Sequence, residues 1–341
     1  MKRQRSINKL RRYLFSGTLV FSLLLLSGAA PSHAATCPDG AISLYMPTPA
    51  GSQPDALYYL LLGPWQTHFH ERLHLMHAPG RGGSHAASRL LDDGSDNCSL
   101  AAVILPSVFF LSETTDRMFN VADLDIAAAL ASAPNAIWVA EESPFHSLAD
   151  LVIHARAENS KAGGRFILAG TGRYTDQHLA TLEFDRAAGV RSVYLPVLGS
   201  AEAIQSVKAG RATACWGYAL APVTMPGMRA LGVAAERRSP ALPEVPTFRE
   251  VHVDMTNVAH FALALRVVGP KNEYGDMPAQ PLRDALVALM ADQELRDRVA
   301  VVGFMPHMLG PQEIGEFLEE LQRDAAAGLA EYNLIRRQLR R

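Results

Sequence analysis

The sequence predicts an α/β protein in which helices cover both faces of a parallel sheet. Apolar segments of strand length alternate with segments of helical periodicity from Ile42 onward. Three of the predicted strands run into helices through loops rich in turn-forming residues. The chain has 341 residues, 48% of them hydrophobic and 19% charged, so it can bury the cores of two domains of ordinary size.

The first 35 residues have the composition of an export signal. A basic N-terminal region precedes the apolar stretch Tyr13–Leu26, and Ser32-His33-Ala34 supplies the small residues of a cleavage site. The apolar stretch is too short for an ordinary membrane span, and no later segment approaches one. We therefore predict a periplasmic protein that is not embedded in the membrane. Its net charge of −2 argues against a nucleic-acid partner.

The three cysteines are Cys37, Cys98 and Cys215. Cys37 and Cys98 each precede an apolar strand, and their thiols would meet at one sheet edge if those strands were parallel neighbours. A Cys37–Cys98 disulfide is therefore predicted for an oxidising compartment. Cys215 lies within an apolar strand and is expected to be a buried, unpaired thiol.

The elements of the first half follow from periodicity and capping residues. The predicted strands are Ile42–Met46, Arg72–His77, Ser99–Leu105 and two pieces around Pro134 within Asp125–Ala140. The predicted helices begin at Asp55, span Ser84–Leu91, and span Ser147–Glu158 with a capping signal from Ser147 and Asp150.

The second half continues the alternation of strands and helices. The predicted strands are Phe166–Ala169, Val193–Leu195, Ala212–Ala219 and Ala230–Ala234. The predicted helices are His178–Arg186, Ala201–Ala209 followed by Gly210, and a helical C-terminal segment from Pro306.

The stretch from Ala169 to His178 is the first candidate binding site. It places Gly170 and Gly172 between a strand and a helix, a layout that directs backbone N–H groups and the helix dipole at one point and so suits an anion. A glycine-rich turn can also serve steric needs alone. Comparable loops surround Gly51 and Gly199, and the convergence of three such loops at strand ends favours a ligand-binding role.

These segments resemble a known family, the extracytoplasmic receptors of tripartite tricarboxylate transporters, also called Bug receptors. The resemblance covers nearly all of the mature chain. It rests on Pro47–Asp55, Pro79-Gly80-Arg81-Gly82-Gly83, Ala169–Gly172 with His178, Leu195–Ser200, Arg229–Glu250, and Asp292–Val302 with Gly303.

The resemblance implies a type II periplasmic binding protein, with two doubly wound α/β domains and a cleft between them. Domain I would comprise residues 36–133 and 257–341, and domain II residues 134–256, after removal of residues 1–35. Such a receptor captures a small carboxylated molecule and delivers it to the membrane permease of its transporter. We accordingly expect a monomer that has no cofactor, no metal and no enzymatic activity.

The expected ligand contacts come from three loops and one strand position. The ligand carboxylate would be held by N–H groups near Gly51 and Gly172, while the loop at Gly199 closes the far wall. The full set is Thr48, Pro49, Ala50, Gly51, Ser52 and Asp55; Ala169, Gly170, Thr171, Gly172, Arg173, Tyr174 and His178; Pro196, Val197, Leu198, Gly199 and Ser200; and Thr213.

Several of these residues depart from the family pattern. Arg173 and Tyr174 stand where small residues are frequent; Arg173 would pair with a carboxylate or remain solvated, and Tyr174 would stack on a ligand ring or pack at the hinge. Val197 and Leu198 replace Tyr-Lys and make that wall more apolar. Thr213 replaces an Asp, which removes an acceptor. The identity of the ligand is therefore left open.

Three other classes of protein fit parts of the sequence. A sensor that presents its solute to a signalling partner would share every feature above. A hydrolase could use Ser200 or Cys215 with His178 or His260, but no nucleophile-elbow motif is present. A metal site could draw on the histidines between His68 and His85, although no Cys or carboxylate completes an obvious ligand shell.

Overall fold

The computed structural model describes residues 40–69, 71–93, 98–113, 117–267 and 280–338. The strands are β1 Ala41–Met46, β2 Arg72–His77, β3 Ser99–Leu105, β4 Leu124–Ala140, β5 Phe166–Thr171, β6 Ser192–Val197, β7 Ala214–Tyr218, β8 Met228–Val233, β9 Val258–Arg266 and β10 Met305–Leu309. The helices are α1 Gln53–Tyr59, α2 Leu62–Phe69, α3 Ser84–Asp92, α4 Ser107–Ser112, α5 Leu148–Ser160, α6 Asp176–Ala188, α7 Ser200–Lys208, α8 Gln280–Met290, α9 Gln293–Val301 and α10 Ile314–Gln338.

The strands form one mixed sheet in the order β2-β1-β3-β9-β4-β7-β5-β6, and β8 and β10 also pair with β4. The predicted parallel pairing is correct for β1 with β2 and β3, and for β5 with β6 and β7. It is wrong at the centre of the sheet, where β4 and β9 run antiparallel to each other and to their other partners. The predicted α/β fold class is confirmed.

β4 is one continuous strand of 17 residues, whereas two pieces around Pro134 were predicted. Proline lacks an N–H donor, but Pro134 lies where β4 changes partners, from β9 before it to β7 and β8 after it. Its carbonyl accepts a hydrogen bond from the N–H of Ala219 at 2.8 Å, and the N–H of Asn135 donates to the carbonyl of Asn257 at 2.9 Å. These bonds carry the strand through the proline.

The change of partners along β4 separates two strand groups. The first group contains β1, β2, β3, β9 and β10 with the first half of β4, and the second contains β5, β6, β7 and β8 with the second half. Each group has its own buried core. Trp65, Tyr58 and Phe261 are large side chains of the first core, and Phe184, Trp216 and Phe248 are those of the second.

Most predicted elements are present, with shifted ends. The Ser147–Asp150 capping box is confirmed at the start of α5. The helix expected to begin at Asp55 begins at Gln53, and Pro54 lies in its first turn, where the missing N–H costs no helical hydrogen bond. The helix expected from Pro306 is wrong for its first residues, because residues 305–309 pair with β4 as strand β10 and α10 starts only at Ile314.

The predicted export signal and Cys37 lie outside the described residues. Cys98 is disulfide-bonded, while Cys215 is free and buried as expected, and the Cys37–Cys98 pairing stays a prediction. Within the described ranges, no helix is both long enough and apolar enough to cross a membrane.

Candidate functional site

A cavity of about 460 Å³ lies at the carboxyl ends of the parallel strands of both groups. The first strand group lines it with the residues that follow β1, β2 and β3, and the second group with those that follow β5 and β6. The lining is Pro47, Thr48, Gly80, Arg81, Gly82, Gly83, Ser84, Ile104, Ser107 and Leu111, then Thr171, Gly172, Arg173, Tyr174, Thr175, Asp176, Pro196, Val197, Leu198 and Glu202. Ligands of α/β proteins bind at this end of such sheets.

The two walls of the cavity touch at Gly82 and Gly172. A Cβ atom placed on Gly172 would lie 2.7 Å from the Cα atom of Gly82, and one on Gly82 would lie 3.2 Å from the carbonyl oxygen of Arg173. Both glycines have positive φ, 66° at Gly82 and 71° at Gly172. The contact therefore requires glycine on both sides, for its backbone conformation and for the close approach.

The loop after β5 is fixed by the start of α6. Thr175 caps this helix, and its hydroxyl accepts a hydrogen bond from the N–H of His178 at 3.4 Å. His178 Nδ1 in turn accepts a hydrogen bond from the N–H of Tyr174 at 3.1 Å, while Tyr174 adopts a positive φ of 62°. The imidazole stacks on Tyr194 at 4.5 Å. His178 thus supports the loop from behind.

Burial holds His178 in its neutral form. The side chain is 7% exposed, and this desolvation, with a smaller contribution from the charge of Arg173, lowers the pKa of His178 to about 4. Only the neutral ring can accept the hydrogen bond from Tyr174. The loop conformation and the protonation state are therefore coupled.

The loops around Gly51 and Gly199 contact each other beside the main cavity. A Cβ atom on Gly199 would lie 3.1 Å from Ser52 Oγ, and the N–H of Gln53 donates to Ser200 Oγ at 3.4 Å. Ser52, Gly199 and Ser200 line a small adjoining cavity together with Thr48. Thr48 Oγ1 is buried and, among the described residues, has no hydrogen-bond partner.

Several loop amides expected to receive the ligand are already hydrogen-bonded within the chain. The N–H of Gly51 donates to Asp55 Oδ2 at 2.7 Å, and that of Gly172 to the carbonyl of Val197 at 3.0 Å. The N–H of Thr171 donates to Gln177 Oε1, and that of Leu198 to Glu202 Oε2, both at 2.8 Å. A ligand would have to displace these bonds to use the same donors.

The cavity contains two arginines and two acidic residues. Arg81 and Arg173 are exposed and lie on opposite walls. Asp176 is fully buried, and its oxygens accept hydrogen bonds from Ser107 Oγ at 3.1 Å and Asn135 Nδ2 at 2.9 Å. Burial raises the pKa of Asp176, while the hydrogen bonds from Asn135 and Ser107 act in the opposite direction. Glu202 accepts a hydrogen bond from the N–H of Leu198, so both acidic residues already have partners within the chain.

Ser107 and Asp176 join the two strand groups below the cavity floor. The N–H of Asp176 donates to Ser107 Oγ at 2.8 Å, in addition to the bond that the hydroxyl makes to the carboxyl group. Asn135 links the same carboxyl group to Asn257, whose Oδ1 it contacts at 2.7 Å. A continuous polar network therefore runs from α4 to the strands that connect the two groups.

The structure brings together eight of the residues expected to contact a ligand: Thr48, Thr171, Gly172, Arg173, Tyr174, Pro196, Val197 and Leu198. Ser52, Gly199 and Ser200 line the adjoining cavity. The remaining expected residues are not part of the lining of either cavity: Pro49, Ala50, Gly51, Asp55, Ala169, Gly170 and His178. Thr213 lies elsewhere, at the opposite end of β5 and β7, where its N–H donates to the carbonyl of Ile167 at 2.9 Å.

Sequence reasoning missed one segment of the wall that the first strand group forms. This segment is the turn Gly80–Gly83 with Ser84, which was used only as a family marker. Its cluster of three glycines around an arginine at the end of a strand was the signal that could have found it. Ser107 and Asp176 had no comparable signal, because their proximity depends on how the two strand groups meet.

Three of the described histidines between residues 68 and 85 have separate partners. His68 contacts Asp292 at 3.1 Å, His77 the carbonyl of Thr48 at 3.0 Å, and His85 the carbonyl of Pro79 at 2.9 Å. Across the described part of the chain, no three His, Cys, Asp or Glu residues are placed to hold a metal ion. These histidines therefore serve local contacts.

The candidate nucleophiles are not poised for catalysis. Cys215 is fully buried, and desolvation raises its pKa to about 12. His260 packs against His307 and Phe317, with ring centroids 5.7 and 4.9 Å away. His178 points behind its loop toward Tyr174 and Tyr194, and Ser200 Oγ accepts from Gln53.

The mixed sheet, with the cavity between its two strand groups, has the fold of the periplasmic binding proteins. Within this class the chain belongs to the TctC family, the "Tripartite tricarboxylate transporter family receptor", which it matches over residues 79–327. The resemblance seen in the sequence is thereby confirmed, and the family consists of binding receptors rather than enzymes.

Individual relatives are distant but align over nearly their whole length. The chain is 25% identical to the UPF0065 protein in gbd 5'region of Cupriavidus necator over 324 residues, which is 93% of this chain and 95% of that protein. The periplasmic binding protein BugD superposes with a TM-score of 0.72 at 17% identity, over 89% of this chain and 98% of BugD. R. palustris Rpa4515, solved with adipate, gives a TM-score of 0.71 at 21% identity, over 86% of this chain and 95% of that one.

Proposed function

We propose that the chain is an exported receptor that captures a small organic acid in the 460 Å³ cavity and delivers it to the permease of a tripartite tricarboxylate-type transporter. Binding occurs without turnover. The family supports this role, and the similar protein Rpa4515 was solved with adipate.

The observation that carries the proposal is the construction of the cavity from both strand groups, which touch at Gly82 and Gly172. A ligand in this position would contact both walls at once, so binding and closure of the walls would be linked. The ligand shifts the equilibrium between open and closed forms by as much as it binds the closed form better.

The two strand groups would move as two domains. Residues 36–133 and 257–341 form one domain in this proposal, and residues 134–256 the other, with the connecting strands near Pro134 and Asn257 as the hinge. The closed form would then present its surface to the membrane permease. An N-terminal signal of 35 residues would direct the chain to the periplasm.

The acidic group of the ligand would bind where hydrogen-bond donors are available. The Thr48 hydroxyl has no partner among the described residues, and the first turns of α3 and α6 reach the cavity at Ser84 and Thr175. Leu111, Val197 and Leu198 provide an apolar surface for the body of the ligand.

A thermal-shift screen of the purified mature protein tests this function. Mono- and dicarboxylates, amino acids and aromatic acids are added separately, and a ligand raises the unfolding midpoint by mass action. We expect at least one acid to stabilise the wild type but not the Gly172→Val variant. Product formation from a stabilising acid would contradict the receptor role, and equal stabilisation of both proteins would contradict the site.

A further inference from the structure

We infer that a cavity at the amino ends of β5 and β7 is a second binding site, which takes a phosphate monoester with an apolar organic part. This cavity of about 670 Å³ lies in the second strand group, at the strand ends opposite to the 460 Å³ cavity. The two cavities have no described lining residue in common, so the inference goes beyond the proposed function.

The fold brings two arginines of this cavity to neighbouring positions. Arg165 precedes β5 and Arg211 precedes β7, and these strands pair in parallel. The N–H of Thr213 donates to the carbonyl of Ile167 at 2.9 Å, and each arginine stands two residues before one member of this pair. Because paired strands lie about 4.8 Å apart, two positive charges are held close together. Such charges repel each other unless an anion compensates them.

The positive charge of the cavity exceeds the negative charge. The side chains of Arg165 and Arg211 are exposed, and among the described residues they have no ion-pair or hydrogen-bond partner. Lys208 also lines the cavity, and its ammonium group donates to the carbonyl of Pro226 at 3.2 Å, an uncharged partner. Among the described lining residues, Glu142 is the only carboxylate. Three cations against one carboxylate leave an excess of two positive charges, which an anionic ligand would compensate.

Part of the lining is apolar and aromatic. The rings of Phe145 and His154 are in contact, with centroids 4.8 Å apart. Ile167 and Val207 add aliphatic surface to the same lining. These side chains would bury the hydrocarbon part of an organic ester, a contribution that inorganic phosphate lacks. The cavity therefore favours an organic phosphate over the free ion.

The number of cations favours phosphate over carboxylate. A phosphate monoester carries a charge of about −1.5 to −2 at pH 7 and has three strong acceptor oxygens. It can engage Arg165, Arg211 and Lys208 at the same time, whereas the two oxygens of a carboxylate are satisfied by one guanidinium group. The charge of the ester also matches the excess of two in the lining.

Calorimetric titration with phenyl phosphate tests the inference, at a pH above the second pKa of the ester, which is about 6. The wild type should bind phenyl phosphate more tightly than inorganic phosphate. Arg165→Gln and Arg211→Gln should each weaken this binding by about tenfold or more, the effect of losing a charge-assisted hydrogen bond. Arg191→Gln is the matched control, because Arg191 is an exposed arginine just before β6 that does not line the cavity. It should bind phenyl phosphate like the wild type.

Substitution of Thr213, which also lines the cavity, separates the effect of charge from that of shape. Thr213→Asp adds a carboxylate beside the arginines and should weaken phenyl phosphate binding by about tenfold or more. Thr213→Asn has a side chain of the same size without the charge and should retain binding. Urea denaturation of each variant establishes that it is folded.

The inference is wrong if phenyl phosphate does not bind the wild type, or if it binds Arg165→Gln and Arg211→Gln as tightly. Benzoate has one negative charge and should lose less affinity than phenyl phosphate in both variants. An equal loss for benzoate would overturn the selection of phosphate. The proposed function is tested separately by the acid screen and Gly172→Val, so either proposal can fail while the other stands.

Discussion

Gly172 and Gly82 meet across the cavity so closely that neither tolerates a side chain: a Cβ atom on Gly172 would lie 2.7 Å from the Gly82 Cα atom. Each glycine belongs to a loop at the carboxyl end of a strand, one in each strand group. The approach of the two walls is therefore limited by backbone atoms rather than by flexible side chains. In the proposed function, this contact sets the geometry in which both loops face one ligand.

Gly172→Ala should weaken ligand binding by more than tenfold, because the added methyl group separates the two loops. Because φ is 71° at this position, alanine there should also lower the free energy of unfolding by about 1–2 kcal/mol. Gly189→Ala is the control: Gly189 has a φ of 62°, but nothing lies within 4 Å of its Cβ position. It should lose similar stability and retain binding, as measured by urea denaturation and calorimetry. Equal binding by both variants would show that the contact is irrelevant to the ligand.

Ser107→Ala should destabilise the protein by about 1–3 kcal/mol, since it leaves buried groups of Asp176 without a partner. It should also weaken ligand binding, because Ser107 joins the two strand groups. Ser112→Ala removes a buried hydroxyl from the same helix, but that hydroxyl bonds only to the nearby carbonyl of Phe109 at 3.1 Å. Urea denaturation and calorimetry of both variants distinguish the loss of a local hydrogen bond from the loss of the link between the two strand groups. Weaker ligand binding by Ser112→Ala but not by Ser107→Ala would contradict the linking role of Ser107.

His178 should make stability depend on pH. Its pKa of about 4 lies below the ordinary 6.5, so the unfolded chain binds the proton more readily and stability is lost as pH falls from about 6.5 to 4. The difference in unfolding free energy between wild type and His178→Gln should change by at most about 3 kcal/mol across this window. His146→Gln, at an exposed position, serves as control. A difference that is flat with pH would mean that the buried imidazole is not held neutral.

Asp185 should act in the opposite direction. Burial raises its pKa from 3.8 to about 6, although Ser192 donates two hydrogen bonds to it. The stabilisation that protonated Asp185 contributes is complete below about pH 4 and is lost as pH rises through 6, because the folded state keeps the proton to a higher pH than the unfolded chain. Asp185→Asn should gain stability relative to wild type between pH 4 and 6, by at most about 3 kcal/mol. Asp254→Asn, at an exposed carboxylate, should show no such dependence of stability on pH. If urea denaturation gives the same pH dependence for both variants, the pKa of Asp185 is not raised by burial.

The sequence predicted elements whose signal is local. Arg72–His77 and Ser99–Leu105 are strands with the expected ends, and Ser147 caps its helix as expected, since apolar runs and capping side chains act over a few residues. Pro134 and Pro306 were misjudged for one physical reason. Both are accommodated by pairing with distant strands, which local propensity does not contain.

The candidate site also has parts that local sequence signals predict and parts that depend on tertiary contacts. Gly172 and Thr48 belong to loops whose turn residues could be recognised, and both line the cavity. The hydrogen bonds that occupy the Gly51 and Gly172 amides depend on side chains and strands brought together by folding. The facing pair of Gly82 and Gly172 is likewise a tertiary relationship. Sequence reasoning therefore found the loop at Gly172 and part of the opposite wall at Thr48, but not the turn at Gly82.

A crystal structure of the mature protein with its best acid from the thermal-shift screen tests the central claim most directly. The account predicts the acid between Thr48 and Gly172, in contact with both walls of the cavity. An acid bound away from the cavity between the two strand groups, for example beside Arg165 and Thr213, would contradict it.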